Sequence, residues 1–216
     1  MGLNPLVVAS IGGVSNIFDP NVGDNLMDLF AQNLPVKQSF FTPIITSTSM
    51  NYRMDQNLAI EELRVDIAEA RVEKRPLWLV TNVGSCVAVC VYDTVNRCGG
   101  MAHVMLPKWN GDANSHPYKY ADTAVPALVA AVRKLGGESC SLVAKIAGGA
   151  SMFSDVKCHL INIGQKNVEA VKKALLECYV PLVAEDTGGN CGRRVLFNAS
   201  TGVVVVRTIK GGERKL

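Results

Sequence analysis

The alternation of apolar and polar residues predicts short strands in the second part of the chain. Residues 63–67 alternate like a half-buried strand, and residues 77–80 form a short apolar run of the same kind. Residues 203–209 are rich in valine and predict a late strand. Two helical patterns lie between these strands, so strands and helices are interspersed along the chain.

Apolar positions with helical spacing predict the two helices. The first covers residues 124–135, with Thr123 or Asp122 as its N-cap and Gly136 as its stop. The second covers residues 168–178. Its predicted buried stripe consists of Val168, Val171, Leu175 and Cys178.

A β-hairpin is predicted ahead of both helices. Residues 86–92 are rich in β-branched side chains, residues 93–98 are turn-like, and residues 99–106 are again apolar. Two such apolar runs joined by a short polar turn are typical of antiparallel neighbours.

The register of this hairpin decides whether a cysteine and a histidine meet. Pairing of Tyr92 with Gly99 places Ala88 opposite His103, and Cys86 then shares a face of the sheet with His103. On this diagonal the two backbones are roughly 7 to 8 Å apart, within reach of the side chains. A shift by two residues would place the pair directly opposite, so the pattern predicts a thiol nucleophile beside its base in either register.

Neighbouring residues indicate how this pair is supported. Gly84 and Ser85 allow an unusual backbone turn before Cys86, where amide N–H groups can point at a developing oxyanion. The hydroxyl of Thr81 can orient the imidazole of His103, which is the role of the third group in a triad. The candidate catalytic residues are therefore Cys86, His103 and Thr81.

The remaining cysteines and histidines are expected to be inert. Free cysteines are mostly core residues, and we assign that role to Cys90, Cys98, Cys140, Cys158, Cys178 and Cys191. His116 lies in a polar loop and His159 lies beside Cys158, so both histidines are expected to be solvated or structural.

A metal site is the competing chemistry, because Cys86, Cys90, Cys98 and His103 are close together in the sequence. On an extended strand, Cys86 and Cys90 are separated by roughly 13 Å, too far for two sulfurs to bind one zinc ion at about 2.3 Å each. The sequence contains no CxxC pair. We therefore expect neither a metal nor a cofactor.

Composition agrees with one folded domain plus an appendage. The chain has 216 residues, of which 48% are apolar and 19% are charged. Its seven cysteines lack disulfide-like spacing, which favours a reducing cytosol. The net charge of +3 is modest, and without a basic-aromatic stripe nucleic-acid binding is not expected.

No segment predicts export or membrane insertion. Residues 5–18 are fairly apolar, but the first basic residue is Lys37, so the charged start of a signal peptide is missing. No apolar run approaches the roughly 20 residues needed to cross a bilayer. A cytoplasmic location is therefore expected.

A change in charge balance marks residues 1–60 as an N-terminal extension, partly disordered or docked, of a domain formed by residues 61–216. Residues 1–50 contain one base and three acids, whereas the rest of the chain is net positive. Within the extension, a short helix beginning near Asp24 and ending at Pro35 is predicted. Its apolar face would consist of Leu26, Leu29, Phe30 and Leu34.

Five sequence blocks surround the candidate catalytic residues. They are GSCVAVC at 84–90, MAHVMLP at 101–107, KYADTA at 119–124, KIAGGASMF at 145–153 and AEDTGGN at 184–190. In this order they resemble the CheD chemoreceptor glutamine deamidases. The resemblance covers about residues 63–216, and the combination of several blocks makes it specific.

The resemblance implies a fold, an activity and partners. The implied fold is α+β, a mixed β-sandwich flanked by helices, as in the cysteine hydrolase domain of cytotoxic necrotizing factor toxins. The implied activity is hydrolysis of selected glutamine side chains of methyl-accepting chemotaxis receptors to glutamate, with release of ammonia. The family's catalytic cysteine, histidine and threonine correspond to Cys86, His103 and Thr81. A CheC-type phosphatase, which acts on phosphorylated CheY, is the implied partner.

Two glycine pairs and two arginines each have a structural and a functional interpretation. Gly148-Gly149 and Gly188-Gly189 lack the surroundings of a nucleotide-binding motif, so tight turns are the simpler interpretation. Alternatively, their backbone lines a narrow cleft for a glutamine side chain. Arg193 and Arg194 are either surface charge or a guide for an acidic receptor surface.

Two other function classes stay open. A cysteine peptidase or a transglutaminase-like enzyme would use the same pair of cysteine and histidine. A non-enzymatic adaptor would bind the phosphatase without any turnover.

Overall fold

The computed structural model describes residues 61–111, 116–136, 141–151, 162–208 and 212–216. These residues form strands and two α-helices. The strands are β1 (Glu62–Arg64), β2 (Ala70–Glu73), β3 (Trp78–Val83), β4 (Val87–Asp93), β5 (Cys98–Val104), β6 (Leu142–Gly148), β7 (Leu182–Thr187), β8 (Arg193–Asn198), β9 (Val204–Thr208) and β10 (Gly212–Lys215). The helices are α1 (Ala121–Gly136) and α2 (Ile163–Glu177), and a single 3-10 turn covers Pro117–Lys119.

The strands form two mixed five-stranded sheets. The first sheet has the order β1-β3-β8-β9-β10, and the second has the order β2-β5-β4-β6-β7. The pairs β1/β3 and β6/β7 are parallel, and the others are antiparallel. The fold is therefore α+β, as the family resemblance implied.

The two faces of the second sheet bury different cores, because side chains alternate along each strand. One face of β4 carries Val87, Val89 and Val91, which belong to the core shared with both helices. The opposite face carries Ala88 and Cys90, which belong to the core shared with the first sheet. The molecule is thus layered as sheet, sheet and helices, and the inner space between the sheets receives every second residue of β4.

The predicted hairpin is confirmed with its register. Strands β4 and β5 pair antiparallel, with Tyr92 opposite Gly99 and Ala88 opposite His103. This register places the His103 side chain on the face that meets the first sheet.

Both predicted helices exist, with different ends. α1 begins three residues before the predicted start, so Thr123 and Asp122 are inside the helix and are not its caps. Their side chains bind elsewhere: Thr123 Oγ1 donates to the Pro117 carbonyl at 2.6 Å, and the Asp122 carboxylate accepts the Trp109 N–H at 3.0 Å. The prediction of a cap was wrong because the 3-10 turn already leads the chain into the helix.

α2 begins at Ile163, five residues before the predicted start. Its predicted stripe is confirmed, since Val168, Val171, Leu175 and Cys178 are all buried. The first strand is shorter than predicted and ends at Arg64. The predicted helix near Asp24 lies outside the described residues.

Candidate active site

His103 lies in the inner space between the two sheets and contacts a threonine of the opposite sheet. Its side chain is 2% exposed, and its Nδ1 atom lies 2.8 Å from Oγ1 of Thr81 in β3. The Thr81 hydroxyl donates its hydrogen to the Val65 carbonyl at 2.8 Å. Because a hydroxyl carries one hydrogen, Oγ1 accepts the N–H of Nδ1. The neutral imidazole therefore keeps its lone pair on Nε2, the atom that a general base uses.

The Nε2 atom of His103 is buried and has no hydrogen-bond partner among the described residues. A buried polar atom without a partner is uncommon in a folded protein and calls for an explanation. A role as general base is such an explanation, because Nε2 would then receive a proton only during the reaction.

Cys86 lies next to this histidine on the same face of the second sheet. It immediately precedes β4, two residues before Ala88, which pairs with His103. Its half-buried side chain packs against the core between the sheets. The hydrogen bonds of the described residues include the contact between Thr81 and His103 but none from the Cys86 thiol to the imidazole. The structure thus joins two candidate residues directly and places the third on the adjacent diagonal.

The turn before Cys86 is held by its carbonyl groups. The Gly84 carbonyl accepts the Ala150 N–H at 2.7 Å, and the Cys86 carbonyl accepts the Gly149 N–H at 2.8 Å. The Ser85 carbonyl accepts Nδ2 of Asn167 at 2.9 Å. Three consecutive carbonyl groups therefore have fixed directions at Cys86.

Burial favours the neutral form of both candidate residues. Burial raises the pKa of the Cys86 thiol, and the cysteine's own backbone N–H partly offsets this shift. Burial also lowers the pKa of His103 below its ordinary value of 6.5, against the opposing effects of the Val65 carbonyl and Asp66. Both directions favour a thiol and an imidazole over an ion pair at neutral pH.

Three of the four paired glycines, Gly149, Gly188 and Gly189, line a cavity. Its volume is about 310 Å³, and it opens next to Gly149, whose N–H binds the Cys86 carbonyl. Its walls are Gly149, Ser151, Asn162, Gln165, Val168, Thr187, Gly188 and Gly189. The glycines also make turns, since Gly148, Gly149, Gly188 and Gly189 all have positive φ. The tight turns are therefore confirmed, and the cleft for a glutamine side chain stays a prediction.

The two candidate arginines differ in environment. Arg193 is 9% exposed and its Nε donates to the Asp186 carboxylate at 2.9 Å. Arg194 is partly exposed and binds Glu62 at 2.7 Å. Arg193 is thus part of a largely buried ion pair, whereas Arg194 is a surface charge.

The other cysteines and histidines are distributed mostly as predicted. Cys90, Cys98 and Cys178 are buried, and His116 is exposed. Cys191 is the exception: it is only partly buried, because it lies in the loop before β8 and not in the core. Cys140, Cys158 and His159 lie outside the described residues.

Asn167 is a site residue that sequence reasoning missed. It lies on α2, is 0% exposed, and donates from Nδ2 to the carbonyls of Ser85 and Met105 at 2.9 Å each. The sequence contains one signal that could have identified it: Asn167 lies four residues before Val171, and this spacing places an amide on the buried stripe of the helix.

Two further kinds of site are absent from the described part of the chain. No group of three or more histidine, cysteine, aspartate or glutamate side chains there has an arrangement that would hold a metal ion. Neither α1 nor α2, nor any other described helical segment, combines the length and apolar character that a membrane crossing requires.

Comparison with known proteins finds consistent relatives. A family model described as CheD chemotactic sensory transduction matches residues 105–208. The chain is 51% identical over 151 residues to a chemoreceptor glutamine deamidase CheD of Thermotoga maritima, covering 69% of this chain and 94% of the relative. It is 46% identical over 160 residues to a probable enzyme of the same name from Moorella thermoacetica, covering 72% and 96%. A Clostridium novyi relative with that name is 42% identical over 159 residues, covering 72% and 98%.

Proposed function

Because this chain belongs to the CheD chemoreceptor glutamine deamidase family, we propose that it hydrolyses glutamine side chains of chemoreceptors to glutamate. The relatives' names supply the substrate and the reaction. The observation that carries the assignment to residues is the hydrogen bond between Thr81 and His103, with Cys86 adjacent on the same face.

The proposed first stage forms a thioester. His103 Nε2 takes the proton of the Cys86 thiol as the sulfur attacks the amide carbon of the glutamine side chain. The resulting oxyanion is stabilised by backbone N–H groups of the turn at residues 84–86. The imidazolium then gives its proton to the amide nitrogen, the carbon–nitrogen bond breaks, and ammonia leaves.

The proposed second stage hydrolyses the thioester. His103 Nε2 takes a proton from a water molecule as its oxygen attacks the thioester carbon. The carbon–sulfur bond breaks, the sulfur regains a proton from the imidazolium, and glutamate is released. Thr81 keeps the ring in one tautomer and one orientation through both stages.

The cavity beside Gly149 supports a side-chain substrate. Its volume of about 310 Å³ is at the lower end of small-ligand sites and suits one extended side chain. Four of its wall residues, Ser151, Asn162, Gln165 and Thr187, carry polar groups that can bind an amide.

The test of this function uses receptor fragments and two single variants. Cys86→Ala and His103→Ala are each expected to abolish conversion of glutamine to glutamate, measured by peptide mass spectrometry, while circular dichroism stays as in the unmodified protein. The double variant is expected to be hardly worse than either single one, because the two residues act as a unit. Full activity of either single variant would remove that residue from the mechanism.

The same experiment separates the alternative enzyme classes. Deamidation leaves the receptor chain whole with a small mass gain, whereas a cysteine peptidase splits it. A transglutaminase-like enzyme joins the glutamine to an added amine. Products of cleavage or of amine transfer would therefore replace the proposed reaction with the corresponding alternative.

We also propose a CheC-type phosphatase as a partner and the cytoplasm as the location. The partner rests on the family resemblance, and the location fits the free thiols of the five described cysteines. If the chain were only an adaptor, it would bind the phosphatase and show no turnover before any substitution. Cys86→Ala is expected to retain phosphatase binding in a pull-down, since the substitution removes one half-buried sulfur.

A further inference from the structure

The side chain of Asn167 links the two halves of the proposed catalytic pair. Its Nδ2 donates to the carbonyl of Ser85, which precedes Cys86. It also donates to the carbonyl of Met105, which directly follows β5, the strand that contains His103. Both distances are 2.9 Å. The assignment of nitrogen and oxygen is settled by chemistry, because the flipped amide would place its oxygen against two carbonyl oxygens.

The burial of Asn167 is costly and needs a reason. The residue is 0% exposed, and its Oδ1 atom has no hydrogen-bond partner among the described residues. An apolar residue would fit the buried face of α2 without leaving an amide oxygen unpaired. What only an amide supplies at this position is a pair of hydrogens for the two carbonyls.

One of these carbonyls controls the direction of an N–H group at the nucleophile. The peptide between Ser85 and Cys86 is planar, so the Cys86 N–H points opposite to the Ser85 carbonyl. Asn167 holds that carbonyl from the side of α2, and the N–H therefore faces away from the helix. On that side the Cys86 N–H lies beside its own sulfur, where it lowers the thiol pKa.

We propose that Asn167 is a positioning residue, which anchors the Ser85 carbonyl so that the Cys86 N–H serves as an oxyanion donor. The step it assists is acyl transfer. When sulfur attacks a carbonyl carbon, negative charge collects on the carbonyl oxygen, and a fixed N–H stabilises it. This inference deepens the proposed function, but its test does not need a chemoreceptor.

Two small reagents separate an oxyanion role from a general structural one. p-Nitrophenyl acetate acylates Cys86 through an oxyanion: the sulfur–carbon bond forms, the carbon–oxygen bond to the phenol breaks, p-nitrophenolate leaves, and His103 takes the thiol proton. Iodoacetamide alkylates the same sulfur by displacing iodide, and no oxyanion forms. Both rates are measured on the full chain, with Cys86→Ala as the background for the other thiols.

Asn167→Ala is expected to slow acylation by about 10- to 100-fold and to change alkylation less than twofold. This loss is smaller than the roughly 100- to 1000-fold for removal of an oxyanion donor, because the Cys86 N–H loses its anchor but stays present. Asn167→Asp keeps the size of the side chain but has at most one hydrogen to donate. Its acylation rate is therefore expected to lie between those of the unmodified chain and Asn167→Ala. Tyr92→Phe is the matched control, because it removes a side-chain hydrogen bond to the Ser200 carbonyl at the other end of β4. This control is expected to leave both rates unchanged.

Each outcome decides the inference. Acylation at the unmodified rate in both Asn167 variants would overturn it, and so would a parallel loss of acylation and alkylation, which indicates a merely structural role. Failure of the unmodified chain to deamidate receptors, together with normal acylation, would count against the proposed function and leave the inference standing. If the unmodified Cys86 is not acylated at all, both are overturned.

Discussion

At the scale of single residues, the bond between Thr81 and His103 determines how the imidazole can react. The Thr81 hydroxyl gives its only hydrogen to the Val65 carbonyl, so it accepts from Nδ1 and leaves the Nε2 lone pair free. A hydroxyl keeps this arrangement only while both neighbours stay in place. The role of Thr81 can therefore be tested by replacing it with side chains of similar shape.

Thr81→Val is expected to lower kcat for receptor deamidation by about tenfold or more, because the ring loses the acceptor that selects its tautomer. Thr81→Ser keeps the hydroxyl and is expected to retain much of the activity. Thr81 is only 3% exposed in the unmodified protein, so either substitution can also change stability. The thermal unfolding of both variants must therefore be compared as well. Equal kcat in the valine and serine variants would return Thr81 to a purely structural role.

The pH dependence of activity follows from the neutral resting pair. Catalysis needs His103 as a free base, and burial lowers its pKa below 6.5, so protonation removes the base only at a pH lower than that. We expect kcat/KM for deamidation to fall on the acid side with a midpoint below pH 6.5. A midpoint above this value would show that burial does not lower the pKa of His103, which contradicts this prediction.

Residue-level prediction from the sequence succeeds where contacts follow from periodicity. Alternation along the hairpin places Cys86 and His103 on one face, and the observed pairing of Ala88 with His103 confirms that register. The catalytic roles of these residues stay predictions. Asn167 could not be predicted in the same way, because its partners Ser85 and Met105 are 82 and 62 residues away in the chain. Such contacts depend on how α2 packs and not on any local pattern.

At the scale of elements, the turn after β6 fixes the position of the Cys86 carbonyl. Gly148 has a φ of 124°, and a Cβ atom there would collide with the Cys86 carbonyl oxygen. The next residue, Gly149, donates to that carbonyl, and Gly164 at the start of α2 lies against the Gly149 carbonyl. The end of β6, the start of α2 and the turn before β4 are thus in direct backbone contact.

Gly148→Ala is expected to displace the Cys86 carbonyl and to strain the backbone, with loss of about 1–3 kcal/mol of stability and of most deamidase activity. Gly111→Ala is the matched control, because Gly111 also has a positive φ, 87°, but a Cβ atom there meets no atom within 4 Å. The control is expected to lose some stability and no activity. Stability is measured by urea unfolding and activity by receptor mass spectrometry; equal activity losses in both variants would contradict the special role of the turn.

Three of the strands that the sequence pattern does not predict share a physical character. β2, β7 and β10 are edge strands of the two sheets, and their sequences are ARVE, LVAEDT and GERK. Edge strands are often short and charged, which discourages pairing with other chains. Such strands lack the alternation that identifies β4 and β5. The sequence pattern does not predict β6 for another reason, because its central residue, Lys145, is charged. In the structure, Lys145 donates to the carbonyls of Gly202 and Leu216 at 2.7 and 2.9 Å.

At the scale of the whole molecule, the proposed site requires both sheets. Thr81 comes from the first sheet, whereas His103 and the turn before β4 belong to the second. The helix α2 then adds Asn167 from the third layer. The proposed catalytic groups are therefore held by the packing of all three layers, and none of the layers could supply the proposed site alone.

The division between residues 1–60 and the domain that follows is a prediction about the whole chain. Alignment with the Thermotoga maritima relative covers 94% of that protein but only 69% of this chain, so the shared fold needs far fewer residues than this chain contains. Every candidate catalytic residue lies after residue 60. The domain is also long enough to bury its own core.

Deletion of residues 1–60 is therefore expected to preserve receptor deamidation, with kcat within about twofold of the full chain, because no proposed catalytic contact is removed. Solubility or affinity for a partner is expected to change, since the extension carries the apolar residues Leu26, Leu29 and Phe30, which need a surface to cover. The control is the full chain prepared in parallel, with thermal unfolding to confirm that the shortened chain folds. A shortened chain that folds normally and yet fails to deamidate would show that the extension completes the active site.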